Sequence, residues 1–304
     1  MQNEINTKAG YCAIIGKPNV GKSTLMNVIL GEKLSITTPK PQTTRKRVLG
    51  IYNDENTQIV FLDTPGILEP AYLLHEKMLE YVKNSAKDSD VLLFIVDASS
   101  PDVYNEFFDD KRVAELLQIE KPKILAINKI DLSDENSAKH MVRMFEEKNI
   151  FEKVIPISAL GAFNISTLLD AITEFLPVHP KFFPDDQLSD ATERFFVSEI
   201  IREKIFEMYK DEIPYSTEVE IDEFKERPGK KDYIRASIIV ERETQKPIII
   251  GAKGTMIKKL GQRAREEVER FLERPVFLEL YVKVRPKWRS NQNMLRRFGY
   301  LPED

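Results

Sequence analysis

The chain has 304 residues, of which 42% are hydrophobic and 31% charged, with a net charge of −4; this suits about two globular domains of roughly 150 residues, each with its own core. The single cysteine, Cys12 in the apolar run "YCAII", excludes a disulfide framework and reads as a small core residue in a reducing compartment. The start "MQNEINTKAG" lacks a secretory pattern, and runs such as "VLLFIV" fall far short of the ~20 residues of a membrane span, so any membrane contact is expected to be peripheral.

Residues 11–176 alternate short apolar runs with amphipathic ones. Strands are expected at 11–16, 47–52, 58–63, 91–97, 123–128 and 154–157, and helices at 22–30, 72–87, 105–120, 135–149 and 164–175. The alternation predicts an α/β fold, a mostly parallel sheet with helices on both faces. Residues 32–46 have no period and read as a long functional loop. The proline-rich "LPVHPKFFPDDQLSD" reads as a linker, placing the domains at 1–176 and 191–304 with 177–190 between them. A helix at 191–210, two alternating segments joined by the turn "PGKK", a helix to about 272 and the last strand "VFLELYVKV" predict a smaller α+β domain. Charge is uneven along the chain. Fourteen Lys/Arg against five Asp/Glu between Lys246 and Arg297 point to a polyanionic partner, with a solvated face as the alternative.

"GKPNVGKS", Gly16 to Ser23, matches the phosphate-loop pattern and lies between a strand and a helix. The backbone amides of Gly16, Lys17, Pro18, Asn19, Val20, Gly21, Lys22, Ser23 and Thr24 (proline excepted) surround such a phosphate. Lys22 neutralises β- and γ-phosphate charge and the Ser23 hydroxyl can ligate Mg²⁺. "FLDTPG" supplies Asp63, Thr64, Pro65 and Gly66. Asp63 is placed to hold the Mg²⁺ shell through water, and the Gly66 N–H to meet a γ-phosphate. "AINKID" selects the base: guanine presents two adjacent donors that the Asp131 carboxylate can accept together, whereas adenine presents an acceptor at N1. Asn128 can hydrogen-bond the base, the Lys129 stem can lie along its plane, and in "PISAL" (Ser158, Ala159, Leu160) the Ala159 N–H can donate to guanine O6. Asp97, after "VLLFIV", reads as a turn residue.

These segments resemble the translation-factor-related GTPases. By that resemblance, Thr44 in "PKPQTTRKRVLG" is the switch threonine that ligates Mg²⁺ when a γ-phosphate is present, with neighbouring Thr43 as the alternative; Lys22, Thr44 and Gly66 form the catalytic set. Where small signalling GTPases carry a water-orienting glutamine, this chain has Ile67, so hydrolysis is expected to be slow. In related GTPases with a hydrophobic residue there, the asparagine matching Asn19 helps hold K⁺ against the phosphates; its other reading is a turn residue.

The second glycine loop, "GAKGTMIKK", lacks phosphate-loop spacing and resembles the GxxG loop of a KH module, which clamps single-stranded RNA. Gly251, Ala252, Lys253 and Gly254 form the loop, and Lys258, Lys259 and Arg263 add charge from the following helix. Ile248, Ile249, Ile250, Met256, Ile257 and Leu260 read mainly as core, while Tyr281 and Trp288 can stack on bases or serve no such role. A GTPase domain, a proline-rich linker and a KH-type domain with "KPNVGKSTLMN", "PQTTR", "FLDTPGI", "NKID" and "GAKGTMIKKLG" together resemble the bacterial Era family over essentially the whole chain. That resemblance implies a cytoplasmic, monomeric, partly membrane-associated assembly factor of the 30S subunit that binds 16S rRNA near its 3′ end. The rival reading is a regulatory GTPase whose C-terminal domain binds a protein or an acidic membrane.

Overall fold

The computed structural model describes residues 7–302. The chain forms two units: the first takes in residues up to Ser35, Thr44–Glu69 and Met78–Asp190, and the second takes in Ile36–Thr43, Pro70–Lys77 and the chain from Ala191.

In the first unit the elements run β1 (Lys8–Ile15), α1 (Lys22–Leu30), β2 (Val48–Asn53), β3 (Thr57–Asp63), α2 (Leu73–Asp88, whose first turn is grouped with the second unit), β4 (Val91–Asp97), α3 (Val103–Phe108), α4 (Lys111–Leu117), β5 (Lys123–Asn128), α5 (Glu135–Glu146), β6 (Lys153–Pro156) and α6 (Ile165–Glu174). The sheet order is β2-β3-β1-β4-β5-β6, antiparallel only between β2 and β3. β4, "VLLFIVD", is buried along almost its whole length because helices cover both faces of the central strands. The helix expected over 105–120 is broken in two. Asp110 stops it, since its carboxylate accepts from the Arg112 N–H at 2.9 Å and caps a new helix.

The stretch expected as a linker belongs to the first unit. Gln58, fully buried, accepts from the Phe182 and Phe183 N–H groups at 2.7 and 3.0 Å and donates to the Phe183 carbonyl at 2.9 Å. Further along, the Ile51 N–H donates to the Leu188 carbonyl at 2.8 Å and the Ser189 hydroxyl to the Leu49 carbonyl at 2.5 Å. The prolines keep this stretch out of regular structure, but its backbone groups still find partners along β2 and β3.

The second unit runs α7 (Glu193–Met208), α8 (Ile213–Ser216), β7 (Glu218–Lys225), β8 (Asp232–Val240), α9 (Gln245–Ile250), α10 (Thr255–Leu272), β9 (Val276–Val284) and α11 (Gln292–Arg297). β8 pairs antiparallel with β7 and parallel with β9. The apolar run 247–250, unassigned in the sequence reading, is the helix α9. Gln245 fixes its start by accepting from the Glu241 and Arg242 N–H groups, both at 2.9 Å. α10 buries Leu260, Ala264, Val268 and Leu272, one residue every fourth position, against α7 and the sheet. Within this unit the Lys40 ammonium donates to the Phe206 and Tyr209 carbonyls, and the buried Arg202 donates to the Thr43 carbonyl at 2.5 Å.

Candidate functional site

The phosphate loop joins β1 to α1. Gly21, at φ +101°, takes a backbone conformation that side chains oppose, and a Cβ on Gly16 would lie 2.5 Å from the Ile95 carbonyl oxygen. The buried Lys22 ammonium donates to the carbonyls of Gly16 at 3.1 Å and Lys17 at 2.9 Å, which holds it inside the loop. Burial lowers its pKa to about 8, against the pull of Asp63 in the other direction.

Three oxygens converge at the end of β3. The Ser23 hydroxyl donates to Asp63 Oδ2 at 2.8 Å and lies 2.9 Å from the Thr44 hydroxyl, which is 3.4 Å from the same carboxylate oxygen. Asp63 is fully buried; burial raises its pKa, opposed by Lys22 and the hydroxyls of Ser23 and Thr44. Its other oxygen, Oδ1, is buried and has no hydrogen-bond partner among the described residues. The Thr64 hydroxyl donates to the Ile14 carbonyl at 2.7 Å, tying the "DTPG" turn to β1. Gly66 approaches the phosphate loop so closely that a Cβ there would lie 2.7 Å from the Pro18 nitrogen. Ile67 is buried, and its N–H donates to the Gly16 carbonyl at 3.0 Å.

The other end of the site is built where β4, β5 and β6 finish side by side. Asn128 points into the protein at both ends of its amide: Nδ2 donates to the Val20 carbonyl and Oδ1 accepts from the Ala159 N–H, each at 2.8 Å. The Ala159 N–H, expected to face a base, is thus engaged with Asn128, and Asn128 splices the phosphate loop to the "SAL" segment. Ser158 receives the Gly161 N–H on its hydroxyl at 3.0 Å, and Leu160 is exposed. Asp131 sits in the short 3-10 helix Ile130–Leu132, exposed, and its carboxylate makes no hydrogen bond or ion pair among the described residues.

In the second unit, Gly251 and Gly254 stand at φ +73° and +75°, with Lys253 between them at φ +52°. The Gly254 N–H donates to the Gly251 carbonyl at 3.1 Å, closing the loop on itself. Lys253, Lys258, Lys259 and Arg263 are all exposed, and none has an ion pair or hydrogen bond among the described residues. The N-terminus of α10, eighteen residues long, begins at this loop. Backbone amides, the helix dipole and the cations Lys253, Lys258 and Lys259 therefore share the N-terminal end of α10, with Arg263 about two turns further along it, an arrangement suited to phosphates.

Residues 11–129 match the family of 50S ribosome-binding GTPases, and residues 212–289 match the KH domain family. The GTPase Era of Geotalea daltonii is 46% identical over 292 residues, covering 96% of this chain and 97% of that protein. The GTPase Era of Geobacter metallireducens is 45% identical and covers 96% and 98%. The chain belongs to the GTPase Era family. Among solved structures, Era in complex with MgGDPNP and nucleotides 1506–1542 of 16S ribosomal RNA has a TM-score of 0.90 at 43% identity, covering 97% of this chain and 99% of that one. A point variant of Aquifex aeolicus Era bound to GDP·AlF4− has a TM-score of 0.89 at 43% identity, with the same coverage. As an Era-family member the chain is a GTPase, with a G domain followed by a KH domain.

Three sequence readings that carry alternatives narrow in the structure. Thr44, and not Thr43, shares its hydroxyl with Ser23 and Asp63, while Thr43 is grouped with the second unit. Trp288 is fully buried and donates from Nε1 to the Ser216 carbonyl at 2.8 Å, so its ring is core, whereas Tyr281 remains 49% exposed. Ile249 and Leu260 are fully buried, and Ile248 is exposed. Alternation along "VFLELYVKV" could have indicated which ring faces outward; nothing local in "KWRS" indicated a buried indole.

Proposed function

We propose that this chain is a GTP-hydrolysing switch whose KH domain grips single-stranded small-subunit rRNA near the 3′ end, and that it acts in assembly of the 30S subunit. It works in the cytoplasm as a monomer, with a peripheral membrane fraction. The observation that carries this is the presence, in one chain, of a guanine-nucleotide constellation and a GxxG loop flanked by four uncommitted cations. The 16S rRNA bound by the solved relative supports the choice of RNA.

Mg²⁺ suits the first site. The unpartnered Asp63 Oδ1 and the hydroxyls of Ser23 and Thr44 form an oxygen set of the kind this hard cation takes. Ser23 and Thr44 would ligate it and Asp63 would hold its shell through water. When bound, the ion neutralises phosphate charge. Lys22 adds a second positive charge, the Gly66 N–H meets the γ-phosphate, and Asp131 accepts the guanine edge. Ile67 contributes no side-chain hydrogen bond to the attacking water, and its N–H is engaged with Gly16, so intrinsic turnover is slow. Asn19, exposed at φ +64° in the loop, would help hold K⁺ as the charge that an arginine finger gives elsewhere. Turnover in KCl above that in NaCl at equal ionic strength, reduced in Asn19→Ala, is the expected result; no gain with K⁺ would remove the ion.

The RNA assignment is tested by a band shift with a single-stranded RNA matching the 3′ end of 16S rRNA. Wild type binds it, and Lys253→Glu with Lys258→Glu loses at least about tenfold in affinity. Binding of wild type to acidic liposomes but to no RNA would select the rival reading.

A further inference from the structure

We infer that Asp97 is a positioning residue for the guanine subsite, holding the Lys129 side chain ready for the base. The inference rests on the assignment of Lys129 and Asp131 to guanine; Asn128, its amide bound at both ends within the protein, supports that segment from behind. Asp97 closes β4 directly beside Asn128, the last residue of β5, in the parallel register. Its Oδ2 accepts from the Lys129 ammonium at 2.5 Å, and the two side chains are 21% and 33% exposed. Its Oδ1 accepts from the Ser99 N–H at 2.9 Å and the Ser99 hydroxyl at 2.6 Å. One carboxylate therefore does two separable jobs, a turn on one oxygen and an ion pair on the other.

The rest of the β4 end grips the same segment. The Ala98 N–H donates to the Asn128 carbonyl at 2.8 Å, and the Ser133 hydroxyl donates to the Ala98 carbonyl at 3.4 Å. Lys129 itself is at φ +63°, a left-handed conformation disfavoured in a side-chain-bearing residue, and its carbonyl accepts from the Leu132 N–H at 2.9 Å. Its backbone is thus set by β4 and the following turn, but four side-chain carbons remain to be ordered. A free lysine has a large rotamer entropy to lose. Pairing with Asp97 removes part of that freedom before any nucleotide arrives. Burial pushes the Asp97 carboxyl up, but the donors from Lys129 and Ser99 outweigh it and hold the group below the usual range, so it stays ionised at neutral pH.

Asp97→Asn separates the two jobs. An amide oxygen still accepts from Ser99, while the amide nitrogen cannot accept from an ammonium. The experiment is a double-mutant cycle on GDP and GTP affinity with Asp97→Asn, Lys129→Met and the pair, read by fluorescent-nucleotide titration and dissociation rate in the full chain. Asp97→Asn is expected to weaken both nucleotides about three- to tenfold in the wild-type background and to add no further loss in Lys129→Met, with its urea unfolding midpoint unmoved. Equal losses in both backgrounds, no loss in either, or tighter binding in Asp97→Asn would overturn the positioning role. An unchanged affinity in Lys129→Met alone would instead overturn the guanine-site assignment beneath it.

Discussion

At Asp131 an exposed carboxylate without partners among the described residues is, in the proposed reading, available for the two adjacent donors of guanine. Asp131→Asn places an amide N–H against one of them, which amounts to an unpaired polar contact of about 1–3 kcal/mol. GTP binding is expected to weaken by that amount and xanthine nucleotide to be favoured, because xanthine has an acceptor where guanine has its exocyclic amine. Equal GTP affinity of mutant and wild type, by titration, would remove the assignment. Lys22 gives a pH dependence of definite sign. Its pKa is lowered by burial to about 8 in the free protein, and phosphates beside it raise that value in the complex. The complex then binds more protons than the free protein above about pH 8, so affinity falls as pH rises through that value and is flat well below it. Calorimetry of GDP binding at pH 8.5 in EDTA, in buffers of different ionisation enthalpy, should show proton uptake. Release or no exchange would contradict it.

Among elements, the turn between α9 and α10 carries the sharpest constraint. Gly254, at φ +75° and ψ 15°, is left-handed, where alanine is strained by about 1–2 kcal/mol. Gly251, at φ +73° and ψ 172°, lies in a region almost restricted to glycine, where the cost is about 1–3 kcal/mol. Gly251 has a second obstacle, because a Cβ there would lie 2.7 Å from the Met256 Cβ and 2.9 Å from its backbone nitrogen, whereas at Gly254 the nearest atom is 4.0 Å away. Gly251→Ala is therefore expected to destabilise more than Gly254→Ala by urea denaturation, and to lower RNA affinity more because α10 must shift. Equal losses at the two positions would mean the loop relaxes freely.

At the scale of the whole chain, the segments beside Thr44 and the "DTPG" turn have unexpected membership. Ile36–Thr43 precedes Thr44, and Pro70–Lys77 follows the "DTPG" turn, yet both are grouped with the KH unit. Arg202 and Lys40 fasten the first of these segments through backbone carbonyls. A γ-phosphate that draws Thr44 toward Mg²⁺ must act on chain continuous with that segment. RNA affinity is therefore expected to differ between the GTP-analogue and GDP states, with the same factor appearing in nucleotide affinity when RNA is present. Filter binding that returns equal RNA affinities in both states would make the KH domain a tether without coupling.

Much of this was legible in the residues alone, for a local physical reason. Glycine loops, strand-end carboxylates and hydrophobic periods are short-range requirements, so the phosphate loop, the guanine segments, the GxxG loop and the order of most elements could be read from spacing. The helix break at Asp110 was readable in principle as a capping signal, but a continuous apolar period masked it. What only tertiary structure decided are partnerships between residues far apart in the chain. Gln58 ties down a proline-rich stretch more than 120 residues away, with partners at positions 182 and 183. Trp288 is buried with its indole N–H on Ser216, and Thr44 is placed beside Ser23 and Asp63. Asp97 reads as an ordinary turn residue until β4 and β5 lie side by side and bring Lys129 onto its second oxygen. Local propensity is blind to such pairs because strand order, and with it every cross-strand neighbour, is set by long-range packing and not by the residues on either side.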